Sequence, residues 1–162
     1  LLVWRADLEV EEMRGNVGTR LRKLAERNDL DAIVVAAAGL KRLGLCDSSW
    51  TWFAVEEMIP AVGQGIIAVE ARIDDAEVLG LLAAINDPDT MACAVAERAF
   101  LHAAGGGCRM PYAAHARVCG DELELIAARF AKDGSRSERT CVRGPKRRAK
   151  EIGEEAAQRI NR

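Results

Sequence analysis

The sequence predicts an α/β chain: a βαβ unit first, then a small α+β unit built on a three-stranded antiparallel sheet with helices. Three observations carry this. Leu8-Glu9-Val10-Glu11-Glu12-Met13 alternates apolar and acidic residues, while Ala32-Ile33-Val34-Val35-Ala36-Ala37-Ala38 is apolar throughout, and a helical pattern lies between them. Alternation marks a half-buried strand, and a short continuous apolar run marks a strand buried on both faces. After residue 111 the chain changes to three strand-length runs separated by Gly120-Asp121 and Asp133-Gly134, which read as hairpin turns.

Taken in order, Leu1 to Ala6 reads as the end of a helix and Leu8 to Met13 as the first strand. Asn16 is placed to cap a helix in which Val17, Leu21 and Leu24 recur at helical spacing to about Arg27. Asn28-Asp29 turns the chain into the apolar strand at 32–38, completing strand, helix and strand in about thirty residues. Cys46 to Glu57 is expected to be a loop or irregular helix, with Trp50, Trp52 and Phe53 packing between layers. Pro60 to Gly65 breaks into another strand, Ile66 to Arg72, and Asp74-Asp75 open a short helix through Ile85. Asn86-Asp87-Pro88-Asp89 reads as a boundary, followed by a helix from Thr90 to Ala103. The sheet strands are expected at Tyr112–Val118, Glu122–Phe130 and Arg139–Arg143, and Pro145 is placed to start a last helix reaching about Ile160.

Composition bounds the function. The chain has 162 residues, 49% hydrophobic and 30% charged, with a net charge of −2, enough for a core and too nearly neutral for a general nucleic-acid binder. No run of about 18 apolar residues occurs, so no membrane-spanning helix is expected. Five cysteines without a CxxC pair argue against a disulfide framework or zinc ribbon and favour a reducing cytoplasm. The chain begins Leu1-Leu2-Val3-Trp4, without the pattern of a signal peptide, and reads as a piece of a longer one.

Two features carry chemistry. Gly105-Gly106-Gly107-Cys108-Arg109-Met110-Pro111-Tyr112 sets a thiol directly behind three glycines, where missing Cβ atoms let a large group approach the sulfur. Cys108 is either a functional thiol or a small buried hydrophobe. Arg14 and Arg20 flank a glycine-bearing turn into a helix N-terminus, and Arg42 follows the apolar strand at its carboxyl end, the edge at which open α/β sheets bind ligands. Together they suit carboxylates or phosphates; singly, each could be a solvated surface residue. A metal site from His102, Cys108, His115 and Cys119 lacks the paired spacing of structural zinc ligands, so no metal is expected. Cys93, Cys119 and Cys141 read as packing residues and His102 as a surface residue at a helix end.

Read together and in this order, Arg14-Gly15-Asn16-Val17-Gly18-Thr19-Arg20-Leu21, Ala38-Gly39-Leu40-Lys41-Arg42-Leu43-Gly44, Pro60-Ala61-Val62-Gly63-Gln64-Gly65 and Glu97-Arg98 with Gly106-Gly107-Cys108 resemble the carboxyl-terminal part of the porphobilinogen deaminase (hydroxymethylbilane synthase) family. The resemblance runs the whole length. It implies a partial second domain of periplasmic-binding-protein-like class at 1–59, a crossover segment of the first domain at 60–87, and a cofactor-carrying α+β domain at 88–162. It implies a transferase of tetrapyrrole biosynthesis that adds four porphobilinogen units head to tail, releasing ammonia and hydroxymethylbilane. Cys108 would hold a dipyrromethane cofactor by a thioether. Arg14, Arg20 and Arg42 would grip the carboxylates of cofactor and growing polypyrrole, Gln64 would lie near the site, and the backbone around Val35, Ala36 and Gly39 would border the cofactor. The family's catalytic aspartate lies upstream of the matched region, so no catalytic residue is assigned, and Asp7, Asp29, Asp31 and Asp47 are not put in its place. The partners implied are porphobilinogen and the growing chain, with no nucleic acid and no membrane. Family members are expected to be monomers, and this piece alone to be inactive, unstable or self-associating without an amino-terminal half. The location implied is the cytoplasm, an organelle staying open. The alternative is a non-catalytic anion-binding module of the periplasmic-binding-like class.

Overall fold

The computed structural model describes residues 1–45, 47–106, 111–131 and 133–161. Its elements run α1 (Val17–Glu26), α2 (Ala37–Arg42), α3 (Ala76–Ile85), α4 (Pro88–Ala103), β1 (Tyr112–Cys119), β2 (Glu122–Phe130), β3 (Ser137–Pro145), a 3₁₀ turn (Lys146–Arg148) and α5 (Ala149–Ile160). The strands form one antiparallel sheet in the order β1-β2-β3. Hairpin registers pair Cys119 with Glu122 and Phe130 with Ser137, as the two turn signals predict.

Helices α4 and α5 cover one face of this sheet. Their small residues Ala96, Ala156 and Ala157 let them approach closely, while Phe100, Ile152 and Ile160 fill the space against Leu123, Leu125 and Val142. Phe100, Leu123 and Leu125 are fully buried, each contributing about 1.5–3 kcal/mol of transfer free energy. Alternation along the strands sends Ala113 and Ala128 to the opposite face, where Ile59 closes a smaller cluster with Ile126 and Phe130. Residues 54–60 thus lie on the outer face of the sheet. The start of α4 follows from sequence chemistry: the Asp87 side chain accepts from the Thr90 N–H at 2.7 Å, and Pro88 occupies the first turn.

Ahead of α3 the expected strands do not form. Among the described residues, 8–13, 32–36 and 66–72 carry no strand pairing, and Ala37 and Ala38 belong to α2 instead. The βαβ unit is therefore corrected to two helices joined by unpaired extended chain. The reason is physical: a strand satisfies its N–H and C=O groups through a neighbour, and these described segments meet none. Their side chains show it, with Val34, Ile67, Val69 and Ile73 exposed. Helix α3 is apolar yet buries no residue. Trp52 and Phe53 are also exposed rather than packed between layers; Lys41 sits over Trp52 and Phe53 leans on Trp4. Leu1 to Ala6 forms turns, not a helix end.

Candidate functional site

Several of the sequence-predicted residues lie around one junction, where α1 meets α2 at Gly39 and α2 meets the turn at 61–65. Asn16 caps α1 by accepting from the Thr19 N–H at 2.8 Å. Just before it, Gly15 takes φ +126°, and a Cβ there would strike Thr19 at 2.9 Å, so the approach to the helix needs glycine. The Arg20 Nε–H donates to the Gly15 carbonyl at 2.8 Å, and Lys23 Nζ donates to the Arg14 carbonyl at 2.9 Å. The loop that carries Arg14 is thereby tied to its own helix.

Helix α2 packs beside α1 at Gly39, where an added Cβ would touch Val17 at 3.4 Å. Val35 and Ala36 lead into α2 half-buried, and Ala36 occupies its N-cap position with no side-chain cap. At the other end an Arg42 terminal nitrogen donates to the Gly65 carbonyl at 2.6 Å. Gly65 itself sits against Ala38, and exposed Gln64 stands at the tip of the same turn. Arg20, Gly39, Arg42, Gln64 and the Val35-Ala36 approach are thus linked through direct neighbours. Exposed Arg14 is linked by its backbone only, and its side chain meets Glu12 at 3.4 Å.

The charge pattern decides what the junction can hold. Most described arginines face a carboxylate, as Arg5 does Asp7, Arg27 does Asp29 and Arg129 does Glu138. Arg20 and Arg42 are among the described arginines that do not; each rests on a backbone carbonyl, as Arg139 also does on the far side of the sheet. A carbonyl fixes one nitrogen of the fork, and the remaining N–H groups and the full positive charge stay available to an anion. This donor set suits an anionic group such as a carboxylate.

In the sequence Glu97 is only one residue of a motif; in the fold it is a buried anchor. Glu97 is 3% exposed on the inner face of α4. One carboxylate oxygen accepts from the Gly63 N–H at 2.7 Å and the other from the Ala116 N–H at 2.8 Å. Burial pushes its carboxyl above the usual range, opposed by those two N–H donors and by His115. Its burial is legible only in the fold, where it shares the inner face of α4 with Ala96 and Phe100.

Cys108 lies outside the described residues. Its described approach is ordered by Phe100 and Leu101, whose carbonyls accept from the Ala104 and Gly106 N–H groups at the end of α4. A Cβ on Gly106 would meet Leu101 at 2.7 Å and Tyr112 at 3.0 Å. The Tyr112 hydroxyl donates to the Ala104 carbonyl at 3.2 Å, holding the two flanks together. Cys93 is half-buried, whereas Cys119 and Cys141 are exposed, which corrects their expected packing role. His102 is exposed in the last turn of α4.

A shallow pocket of about 130 Å³ on the outer sheet face is lined by Val55, Glu56, His115, Arg117, Glu124 and Ile126. None of the sequence-predicted site residues lines it. Arg117 and Arg143 neutralise Glu124 there, which makes it a self-compensated surface cluster.

Comparison with known proteins identifies the family. Residues 1–80 match the family model described as "Porphobilinogen deaminase, dipyromethane cofactor binding domain", and 91–162 match "Porphobilinogen deaminase, C-terminal domain". The chain belongs to the porphobilinogen deaminase family. It is 46% identical over 160 residues to the porphobilinogen deaminase of Pelobacter propionicus, covering 99% of this chain and 51% of that protein. The Geobacter metallireducens porphobilinogen deaminase is 42% identical over 160 residues, covering 99% and 50%. That of Roseiflexus castenholzii is 56% identical over 130 residues, covering 80% and 43%. The chain spans about half the length of the curated relatives it matches. Every described residue expected to contact the cofactor falls in the stretch matched to the cofactor-binding model of porphobilinogen deaminase.

Proposed function

We propose that this chain forms the cofactor-holding part of a hydroxymethylbilane synthase, the enzyme that condenses four porphobilinogen units into hydroxymethylbilane and releases ammonia. The observation that carries this is the pair Arg20 and Arg42, anchored on the Gly15 and Gly65 carbonyls and left without a carboxylate partner among the described residues. A dipyrromethane joined by a thioether to Cys108 would supply the primer for the condensation. The chain's own work is to bind and neutralise it. Arg20 and Arg42, with Arg14 at the rim, hold acetate and propionate groups by charge-assisted contacts of roughly 1.5–3 kcal/mol each. The backbone at Val35, Ala36 and Gly39 borders the pyrroles, and Gln64 reaches them from the turn.

The domain division follows the same reading. Residues 1–59 belong to a second, periplasmic-binding-like domain, 60–87 to a crossover into the first domain, and 88–162 to the cofactor-carrying domain. Bare extended segments at 32–36 and 66–72, together with an apolar α3 that buries nothing, are what a sheet separated from its partner strands would leave. We assign no catalytic acid to this chain. Asp7 and Asp29 are held by Arg5 and Arg27, and Asp47 by Ser49, which suits structural roles. Porphobilinogen and the growing polypyrrole are the partners, in the cytoplasm.

The test joins this chain to the half of the Pelobacter propionicus relative that its match leaves uncovered. The expected result is ammonia release and hydroxymethylbilane from porphobilinogen by the joined protein, and no turnover by the 162-residue chain alone. Rapid turnover by the chain alone contradicts the division of labour. Tight porphobilinogen binding by the joined protein without any condensation would favour a non-catalytic anion-binding module.

A further inference from the structure

The turn at 61–65 is held from two sides. On the sheet side, the Ala114 N–H of β1 donates to the Pro60 carbonyl at 3.0 Å. Three residues on, the Gly63 N–H donates to one Glu97 oxygen at 2.7 Å, while the other oxygen receives the Ala116 N–H at 2.8 Å. Between and beyond these anchors the chain reverses. The Gln64 N–H returns to the Ala61 carbonyl at 2.9 Å and the Ile66 N–H to the Gly63 carbonyl at 3.1 Å. Gly63 and Gly65 both adopt positive φ, +76° and +86°, which fixes the direction of each peptide plane in the turn. The Gly65 carbonyl then accepts from Arg42 at 2.6 Å.

Glu97 and Arg42 therefore act on the same turn from opposite ends, one on Gly63 and one on Gly65. A carboxylate that is 3% exposed must have its oxygens satisfied, and here both are satisfied by backbone N–H groups rather than by a guanidinium. His115 Nδ1, at 3.9 Å, is beyond hydrogen-bond reach. Such a group has little freedom to move on its helix, so it sets where Gly63 sits. The short turn carries that placement to Gly65, and the Gly65 carbonyl orients the Arg42 fork.

We propose that Glu97 is a positioning residue for Arg42, acting through the Gly63–Gly65 turn to aim its guanidinium at an incoming carboxylate. The purpose of that aim rests on the function proposed above; the coupling of Glu97 to Arg42 does not.

The experiment uses the whole 162-residue chain with ¹⁵N-labelled arginine. The signal of the Arg42 terminal Nη–H group that donates to the Gly65 carbonyl is identified by its loss in Arg42→Gln. Glu97→Gln keeps the side-chain shape but offers one acceptor oxygen and turns an NH₂ group towards a backbone N–H. Glu97→Asp keeps the charge but withdraws it by one methylene, and serves where the first variant does not fold. In either folded variant the Arg42 signal is expected to shift and its exchange with water to quicken about tenfold, the worth of about one hydrogen bond. The Arg129 signal, from the Glu138 pair on the sheet, stays in place. Leu123→Ala, a core change outside the hydrogen bonds that link Glu97, Gly63, Gly65 and Arg42, is expected to leave Arg42 unmoved, so loosening the fold does not imitate the effect. An Arg42 signal coincident with that of the unaltered chain in both Glu97 variants overturns the proposal. Adding porphobilinogen to the unaltered chain separates the two claims: an Arg42 signal blind to saturating porphobilinogen counts against carboxylate binding at Arg42 and leaves the coupling standing.

Discussion

Gly153 of α5 lies directly against the Ala96 carbonyl of α4: a Cβ added to Gly153 would stand 2.3 Å from that oxygen and 2.8 Å from both Ala99 Cβ and the Phe100 nitrogen. Two of these atoms are backbone, so nothing flexible can yield. The two helices that cover the sheet meet through this missing side chain.

Gly153→Ala is accordingly expected to destabilise the chain by about 1–3 kcal/mol or more by overpacking, despite alanine's better helix propensity. Gly80→Ala gives the opposite sign. Gly80 lies in α3 with nothing within 4 Å of an added Cβ, and the substitution is expected to stabilise by about 0.5–1 kcal/mol. Urea unfolding of the two variants checks both; equal effects would remove the packing argument.

Glu97 makes stability depend on pH in a stated direction. Burial raises its folded-state pKa above the ordinary glutamate value, so above that value the folded chain retains a proton that the unfolded chain releases. Its contribution is full below the ordinary glutamate range and is lost as pH climbs through the raised folded value. Urea midpoints compared from roughly pH 4 to roughly pH 7 should fall more steeply for the unaltered chain than for Glu97→Gln. Parallel profiles would show that Glu97 does not titrate differently on folding.

Exposed apolar side chains predict the behaviour of the isolated chain. Ile67, Val69, Ile73, Leu81 and Ile85 are each at least 60% exposed, and unpaired extended backbone runs beside several of them. Such surface favours association. Light scattering is expected to show concentration-dependent self-association, suppressed when the half of the Pelobacter propionicus relative that the match leaves uncovered is joined. A monomer with a sharp melt at every concentration would contradict it.

How far the sequence could be read depended on where each segment finds its partners. β1, β2 and β3 were legible because Gly120-Asp121 and Asp133-Gly134 close hairpins between residues that pair with each other. Asn16 and Asp75 announced their helices because each bonds an N–H three residues on, whereas Asp87, read as part of a boundary, turns out to cap α4 in the same way. The runs at 8–13, 32–38 and 66–72 have strand composition, but composition cannot supply a partner strand. At Ala37 and Ala38 local helix formation prevailed. Of the site, the order of the arginine, glycine and cysteine motifs was legible. The link from Glu97 through Gly63 and Gly65 to Arg42 was not, because it spans segments far apart in sequence and runs through backbone groups that carry no residue signature. Cys108 falls outside the described residues, and its role stands on sequence.

Arg42 provides a direct check on binding. Arg42→Gln keeps a donor for the Gly65 carbonyl but removes the charge, and is expected to weaken porphobilinogen binding by the joined protein by about tenfold or more. Arg22→Gln, at an exposed pair with Glu26 on α1, should change it little. Equal affinity in Arg42→Gln and the unaltered protein would detach Arg42 from the site.

Intact mass after exposure to porphobilinogen tests most directly whether Cys108 carries the pyrrole cofactor covalently. The joined protein is expected to show the added mass of a dipyrromethane and a pyrrole colour with acidic dimethylaminobenzaldehyde, both absent in Cys108→Ser and retained in Cys93→Ser. An adduct that survives in Cys108→Ser, or active joined protein whose mass is that of the bare polypeptide, would contradict it.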